Sequence, residues 1–352
     1  MEHGKASASS DSLSAHALSG YDYALPSELI AQTPAEPRDS ARLLVLDRAT
    51  GHVEHRHVFD LPSLLSPGDV VVANRSRVVP CRIHARKADS GGAVEILLLR
   101  SIAPAAWLAL TRAHRLRTGQ QLIVDGEISL EVGEAVEGAR VIHFPSAEAA
   151  HEVIQRWGEV PLPPYIRAYA GDPNRYQTVY ADVEGSSAAP TAGLHFTPSL
   201  IEQVKSRGAH WAMITLHIGL DTFKPIAVED LRQHHIHTEW IDVPADTVEL
   251  VDRARREGGR VVAVGTTTVR ALEHAAASGD LRPCQGWADL FITPGYRFRS
   301  VDVMLTNFHL PKSSLLLLVS AFAGRERILS AYREAVAERY RFYSFGDAML
   351  IR

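Results

Sequence analysis

The sequence predicts an α/β protein: a large α/β domain with an inserted small β-barrel domain. Two observations predict it. Strand and helix signals alternate over residues 21–75 and again over 147–352. Between them, residues 76–146 hold only short strands separated by the turn signals Gly91-Gly92, Asp125-Gly126 and Glu137-Gly138. A length of 352 residues suits two domains, or one large domain with an insertion. Residues 1–20 are rich in Ser, Ala and His and lack an apolar signal core, so they are expected to be a disordered tail.

Each element follows from its local pattern. Residues 21–30 open the fold as a turn into a short helix, and Pro37-Arg38-Asp39-Ser40-Ala41-Arg42 leads into a strand at 43–46. A second apolar strand at 70–73 follows the Pro67-Gly68-Asp69 turn. Strands at 94–99, 107–110, 121–124, 128–132 and 140–144 have the spacing of a small barrel. A helix over 147–157 and the extended Pro161-Leu162-Pro163-Pro164-Tyr165-Ile166 come next.

The stretch Ala189-Pro190-Thr191-Ala192-Gly193-Leu194-His195-Phe196-Thr197-Pro198 is a loop ending in a helix start, with Thr197 as cap and Pro198 at the first helical position. It sets a hydroxyl, a permissive Gly and an imidazole beside free backbone N–H groups, equipment for a polar small molecule. The alternative is a capped turn with a core His. A strand at 211–216 ends in His217-Ile218-Gly219-Leu220-Asp221-Thr222-Phe223, and in open α/β sheets ligands sit outside the carboxyl ends of strands. A helix at 248–256 precedes a strand at 260–264. There Gly265-Thr266-Thr267-Thr268 runs into the next helix, an anion-friendly unit that is neither a P-loop nor a GxGxxG fingerprint.

The run Gln233-His234-His235-Ile236-His237-Thr238-Glu239 has metal-ligand residue types, but its spacing matches no zinc-hydrolase pattern, so no metal is expected. Acid/base work or structural hydrogen bonding suits His234 and His237 better. The densest polar set is Asp302 with Thr306-Asn307-Phe308-His309-Leu310-Pro311-Lys312-Ser313-Ser314, just ahead of an apolar helix whose N-terminus suits a carboxylate or phosphate. A final amphipathic helix spans 325–340, and the apolar segment 343–351 is expected to be packed.

Composition bounds the function. The two cysteines, Cys81 and Cys284, form no disulfide framework and fit a reducing cytoplasm. No run of 18 apolar residues exists, so no membrane span is expected. The formal net charge of −4 is uneven. Residues 75–117 carry nine Lys or Arg (Arg75, Arg77, Arg82, Arg86, Lys87, Arg100, Arg112, Arg115, Arg117) against Asp89 and Glu95, which is +7 and leaves −11 elsewhere. A basic module on an acidic body points to a polyanion, with RNA the leading candidate; a solvated charged barrel surface is the alternative. Arg175 and Tyr176, in Arg175-Tyr176-Gln177-Thr178-Val179-Tyr180, have the groups to stack on and bond a base, or to form an edge with buried tyrosines.

These blocks together resemble the S-adenosylmethionine:tRNA ribosyltransferase-isomerase family of queuosine biosynthesis. The matching residues are Asp39-Ser40-Ala41-Arg42-Leu43, 161–166, 175–180, 189–197, His234 with His237-Thr238-Glu239, Val264-Gly265-Thr266-Thr267, Pro294-Gly295-Tyr296, 306–314 and 340–351. The resemblance covers residues 21–351. It implies that the ribosyl part of S-adenosylmethionine moves onto the aminomethyl group of a 7-deazaguanine at the tRNA wobble position. There it becomes an epoxycyclopentanediol while adenine and methionine leave. S-adenosylmethionine is then a consumed substrate, the tRNA anticodon stem-loop is the partner, and a cytoplasmic monomer without metal is expected.

The chemistry asks for a base at the carbon beside the sulfonium, an acid for adenine departure, a holder for the methionine carboxylate and a basic RNA surface. The implied candidates for proton transfer are His195, His234, His237 and His309, with Glu239 or Asp302 orienting one of them. For S-adenosylmethionine they are Pro190, Thr191, Ala192, Gly193, Gly265, Thr266 and Thr267, with Asn307 and Lys312 flanking the ribose. For RNA they are Arg75, Arg77, Arg82, Arg112, Arg115, Arg117, Arg175 and Tyr176. The chain departs from the family pattern at Asn74-Arg75-Ser76-Arg77-Val78, where Asn-Asp-Thr-Arg-Val is expected, at Arg112-Ala113-His114-Arg115, and at Asp221, where a Gly is expected. A paralogue that uses S-adenosylmethionine on a different RNA or small acceptor is the alternative these departures raise.

Overall fold

The computed structural model describes residues 15–136, 138–167, 169, 171–219 and 226–352. Residues 1–14 of the expected tail and the Asp221 departure lie outside the described residues. The chain divides into two compact units: residues up to Arg77 with Pro164–Val183 and Ala189–Arg352, and Val78–Pro163 with Glu184–Ala188.

The larger unit is built on a sheet of nine strands among the described residues. Their order is Cys284–Ala288, Glu239–Val243, His210–His217, Val70–Asn74, Val261–Val264, Val303–Asn307, Ala348–Ile351, Arg42–Leu46 and Val53–His57. The sequence explains which strands are central. Val70-Val71-Val72-Ala73-Asn74, Val261-Val262-Ala263-Val264 and Val303-Met304-Leu305-Thr306-Asn307 are buried at every position. Continuous apolar, β-branched runs of that kind need cover on both faces, the situation of parallel strands. His210–His217, Val70–Asn74, Val261–Val264 and Val303–Asn307 are indeed mutually parallel.

One face packs Val71, Ala73, Val262, Val264, Val303 and Leu305 against Leu61 of a short helix and Leu200, Ile201 and Val204 of the helix Pro198–Ser206. As predicted, Thr197 caps that helix by accepting from the Leu200 N–H at 3.1 Å, and its hydroxyl donates to Asp39. The helices Ala245–Arg256 and Thr266–Ala275 also lie against the parallel strands. The segment Ala348–Ile351 pairs antiparallel with Val303–Asn307 and parallel with Arg42–Leu46, so it is an interior strand of the sheet.

The smaller unit is a closed barrel in the order Ala139–His143, Ala106–Arg112, Ala93–Ala103, Arg82–Lys87, Gln121–Val124, Ile128–Val136. The strand Arg82–Lys87 is an addition to the five expected. It shows only Ile83 and Ala85 to the core, between charged neighbours, so its apolar signal is weak. Residues 147–157 were expected with the larger domain. The helix Ala147–Trp157 instead packs Ala150 and Val153 into the barrel core, because its apolar face has that core to cover. Residues 15–20 also differ from the expected tail. Leu18–Tyr21 is a 3-10 turn, Leu18 is buried, its N–H donates to the Glu229 carbonyl, and Tyr21 is fully buried. No helix among the described residues is long and apolar enough to cross a membrane.

Inside the larger unit, Glu273 of the helix Thr266–Ala275 is completely buried. Its carboxylate accepts from the N–H groups of Arg299, Ser300 and Val301 at 2.9–3.1 Å and from the Tyr296 hydroxyl at 3.1 Å. Removing it strands the buried N–H groups of Ser300 and Val301 away from water. Glu273→Ala is therefore expected to lower folding stability by about 3 kcal/mol, read as a lower urea midpoint. A midpoint equal to that of the parent would contradict this assignment.

Candidate active site

The four parallel strands finish at one edge of the sheet. Val70–Asn74 has His210–His217 on one side and Val261–Val264 on the other, so connections leave it in both directions and the edge is a topological switch point. Glu239–Val243 runs antiparallel to His210–His217 with Trp240 opposite His217, so its first residues reach the same edge.

Two strand-terminal asparagines clamp this edge. The Asn74 Oδ1 accepts from the N–H groups of Ser76 and Leu216 at 3.0 Å, and its Nδ2 donates to the Leu216 carbonyl at 2.9 Å and to the Thr267 hydroxyl at 3.5 Å. The Asn307 Oδ1 accepts from the Thr191 hydroxyl at 2.9 Å, while its Nδ2 donates to the Tyr343 carbonyl and to His195 Nε2, both at 3.2 Å. His195 Nε2 is therefore an acceptor, and its ring proton sits on Nδ1.

Between the asparagines, Gly265 takes φ 89°, a left-handed conformation that glycine adopts without strain, and its N–H donates to the Leu305 carbonyl at 2.7 Å. A Cβ on Gly265 would lie 3.6 Å from the Ala192 side chain, so the Pro190–Gly193 loop and the Gly265–Thr267 turn face each other. Gly193 is required for a different reason: any Cβ there collides with the Tyr180 hydroxyl. Thr266 and Thr267 open the next helix, where the first N–H groups have no partner within the helix.

That helix carries Arg270 one turn on. Arg270 is buried and pairs with Glu239 Oε2 at 2.5 Å, and its guanidinium also donates to the carbonyls of His237, Ala288 and Leu290. The other Glu239 oxygen lies 3.4 Å from His237 Nε2. His237, Glu239 and Arg270 thus form a chain of imidazole, carboxylate and guanidinium. His234 is placed edge-on to Phe291, and burial, then the neighbouring imidazoles of His237 and His235, lower its affinity for a proton. His309 is buried, with Nε2 2.9 Å from the Thr306 hydroxyl.

Several predicted residues are used elsewhere. Asp302 lies at the opposite edge, where its carboxylate accepts from the Val261 N–H at 2.8 Å. Five residues of strand separate it from Asn307, about 16 Å, so it cannot orient an imidazole at the carboxyl edge. Tyr176 is fully buried and has no face for a base. Arg175 pairs with Glu36 at 2.8 Å and donates to the Ala35 carbonyl, Arg82 donates to the Leu162 carbonyl, and Arg77 reaches the Ala181 carbonyl. Lys312 pairs with Asp22 at 2.7 Å. Arg112, Arg115 and Arg117 are exposed on the barrel. Asn74, Ser76, His217 and Arg270 are site residues the sequence reading missed. Asn74 and Ser76 could have been found by carrying to the strand at 70–73 the strand-end rule already applied at His217. Among the described residues, no group of three or more His, Cys, Asp or Glu converges to hold a metal ion.

Burial pushes His195 down to about 4 and His309 down to about 3, so both are neutral in the folded protein at neutral pH. The unfolded chain binds these protons near 6.5, so it takes up more protons than the native state at any pH between the folded and unfolded values. Stability is then full above about 6.5 and falls as pH drops toward 4, by about 3 kcal/mol per imidazole. Urea unfolding between pH 7 and 4.5 should show that slope, and His309→Gln should shrink it. An unchanged slope in the variant would count against the buried neutral imidazole.

A family model described as "Queuosine biosynthesis protein" matches residues 18–351. A protein of Symbiobacterium thermophilum named S-adenosylmethionine:tRNA ribosyltransferase-isomerase is 51% identical over 95% of this chain and 99% of its own length. One of the same name from Moorella thermoacetica is 52% identical over 94% of this chain and 98% of its own. The crystal structure of an S-adenosylmethionine tRNA ribosyltransferase from Thermotoga maritima covers 95% of this chain and 100% of its own, at 39% identity and a TM-score of 0.56. With matches of this extent and identity, the chain belongs to the queuosine biosynthesis protein family, the S-adenosylmethionine:tRNA ribosyltransferase-isomerases.

Proposed function

We propose that this protein transfers and isomerises the ribosyl moiety of S-adenosylmethionine onto the 7-aminomethyl-7-deazaguanine at the tRNA wobble position, giving epoxyqueuosine and releasing adenine and methionine. The observation that carries the reading is the convergence of the Pro190–His195 loop, the Gly265–Thr267 turn and Asn307 at the carboxyl edge of the parallel strands. S-adenosylmethionine lies between that loop and turn, with its carboxylate toward the N–H groups that open the helix Thr266–Ala275.

The geometry ranks the imidazoles. His195 is buried with Nε2 engaged by Asn307, and His309 is buried against Thr306, so both shape the pocket. His237 has a carboxylate partner and keeps partial solvent access, the arrangement of a general acid or base with an orienting group. Glu239 orients it. Arg112, Arg115 and Arg117 meet phosphates of the anticodon stem-loop. The protein works in the cytoplasm as a monomer.

The test is adenine release from S-adenosylmethionine with and without tRNA carrying the aminomethyl-deazaguanine, followed by mass analysis of the wobble nucleoside. Release that requires this tRNA supports the reading; binding of S-adenosylmethionine without release would return the acceptor to question. His237→Ala is expected to lower kcat about 10²- to 10⁴-fold with little change in the KM for S-adenosylmethionine. His195→Ala should act mainly on that KM, and the reverse pattern would exchange the two roles.

A further inference from the structure

The larger unit carries a row of aromatic rings that the proposed chemistry does not use. At the carboxyl edge His217, Trp240 and Trp287 are direct partners on three adjacent antiparallel strands. Directly opposed residues project to the same face, with Cβ atoms about 5 Å apart. The alternate residues Glu239, Ile241, Val243 and Ala288 are buried. His217 and Trp240 are stacked, with ring centroids 5.2 Å apart and planes 18° from parallel. Trp287, on the edge strand, is 60% exposed, the most exposed large apolar side chain among the described residues.

The row ends at the site already described. His217 Nδ1 lies 3.4 Å from the Ser76 hydroxyl, which donates to the Leu216 carbonyl, the group also held by Asn74. Arg75 lies beside the row with Nε 3.4 Å from the Thr215 hydroxyl and 3.8 Å from Asp182. Asp242 stands opposite Thr215. Acids and a base are nearly balanced on this face, so it is poorly suited to a phosphate backbone. A half-exposed run of flat rings suits a planar, uncharged group.

We propose that the Trp287–Trp240–His217 row is a stacking platform for an unpaired base of the RNA substrate, with Arg75 at its border. The proposal rests on the tRNA reading above. An enzyme acting on a wobble base must hold the loop nucleotides around it out of their own stack, and aromatic side chains supply the replacement surface. Stacking of one base is worth enough to change affinity roughly tenfold.

The experiment measures binding, so it does not depend on turnover. A fluorescein-labelled anticodon stem-loop RNA is titrated with full-length protein and read by anisotropy. Trp287→Ala is expected to raise Kd roughly tenfold and Trp287→Phe to restore most of the affinity. The alanine defect should vanish on the one RNA whose contacted loop base is replaced by an abasic site. Equal Kd for Trp287→Ala and the parent overturns the platform alone, as does a defect that persists on every abasic RNA. A parent protein that does not bind the stem-loop overturns both the platform and the tRNA reading.

Discussion

The carboxamide of Asn307 is the contact on which the site depends. One side chain at the end of a buried strand gives its oxygen to Thr191 and its two hydrogens to His195 and the Tyr343 carbonyl. Two segments far apart in sequence, Thr191–His195 and the turn at Tyr343, are thereby fixed to one strand end, and the tautomer of His195 is fixed with them. Asn74 does the same two strands away, joining the end of His210–His217 to the start of the helix Thr266–Ala275. This edge is thus positioned by amides, which carry no charge that would need solvation.

The two edges of the sheet have opposite chemistry. At the amino edge, Asp69 and Asp302 take up backbone N–H groups, and Asp69 also grips Arg260 at 2.7 Å. Burial raises the Asp69 carboxyl, but Arg260 and the N–H groups of Ser66 and Arg260 outweigh it and hold it below its usual range. That edge is sealed. The carboxyl edge instead presents hydroxyls, helix-opening N–H groups, and an imidazole with a carboxylate behind it.

Much of this was legible in the sequence. Apolar runs such as Val70–Asn74 announced buried strands, Thr197-Pro198 marked a helix start, and the polar blocks around Thr191, Gly265 and Asn307, singled out in the sequence, lie together. What stayed hidden depends on partners distant in sequence. Asp302 and Asn307 look equivalent in a polar stretch, yet they sit at opposite ends of one strand. Tyr176 and Arg175 have the residue types of a base-binding patch but are consumed by packing and by Glu36. Arg270 went unnoticed because Glu239, 31 residues upstream, gave no sign of facing it. The barrel strand Arg82–Lys87 was masked by its outward charges.

The placement of Ala348–Ile351 has a consequence in time. This strand joins Arg42–Leu46 to the parallel core, and the Arg42 N–H is held by Asp347, 305 residues away. At synthesis rates of about 5–20 residues per second, the Arg42–Leu46 and Val53–His57 hairpin waits roughly 15–60 s for the strand that seats it. Contacts of that sequence separation slow folding. Through that interval the nascent hairpin presents an unpaired edge built of Leu43, Leu44, Val45 and Leu46. The fold therefore asks for protection during translation.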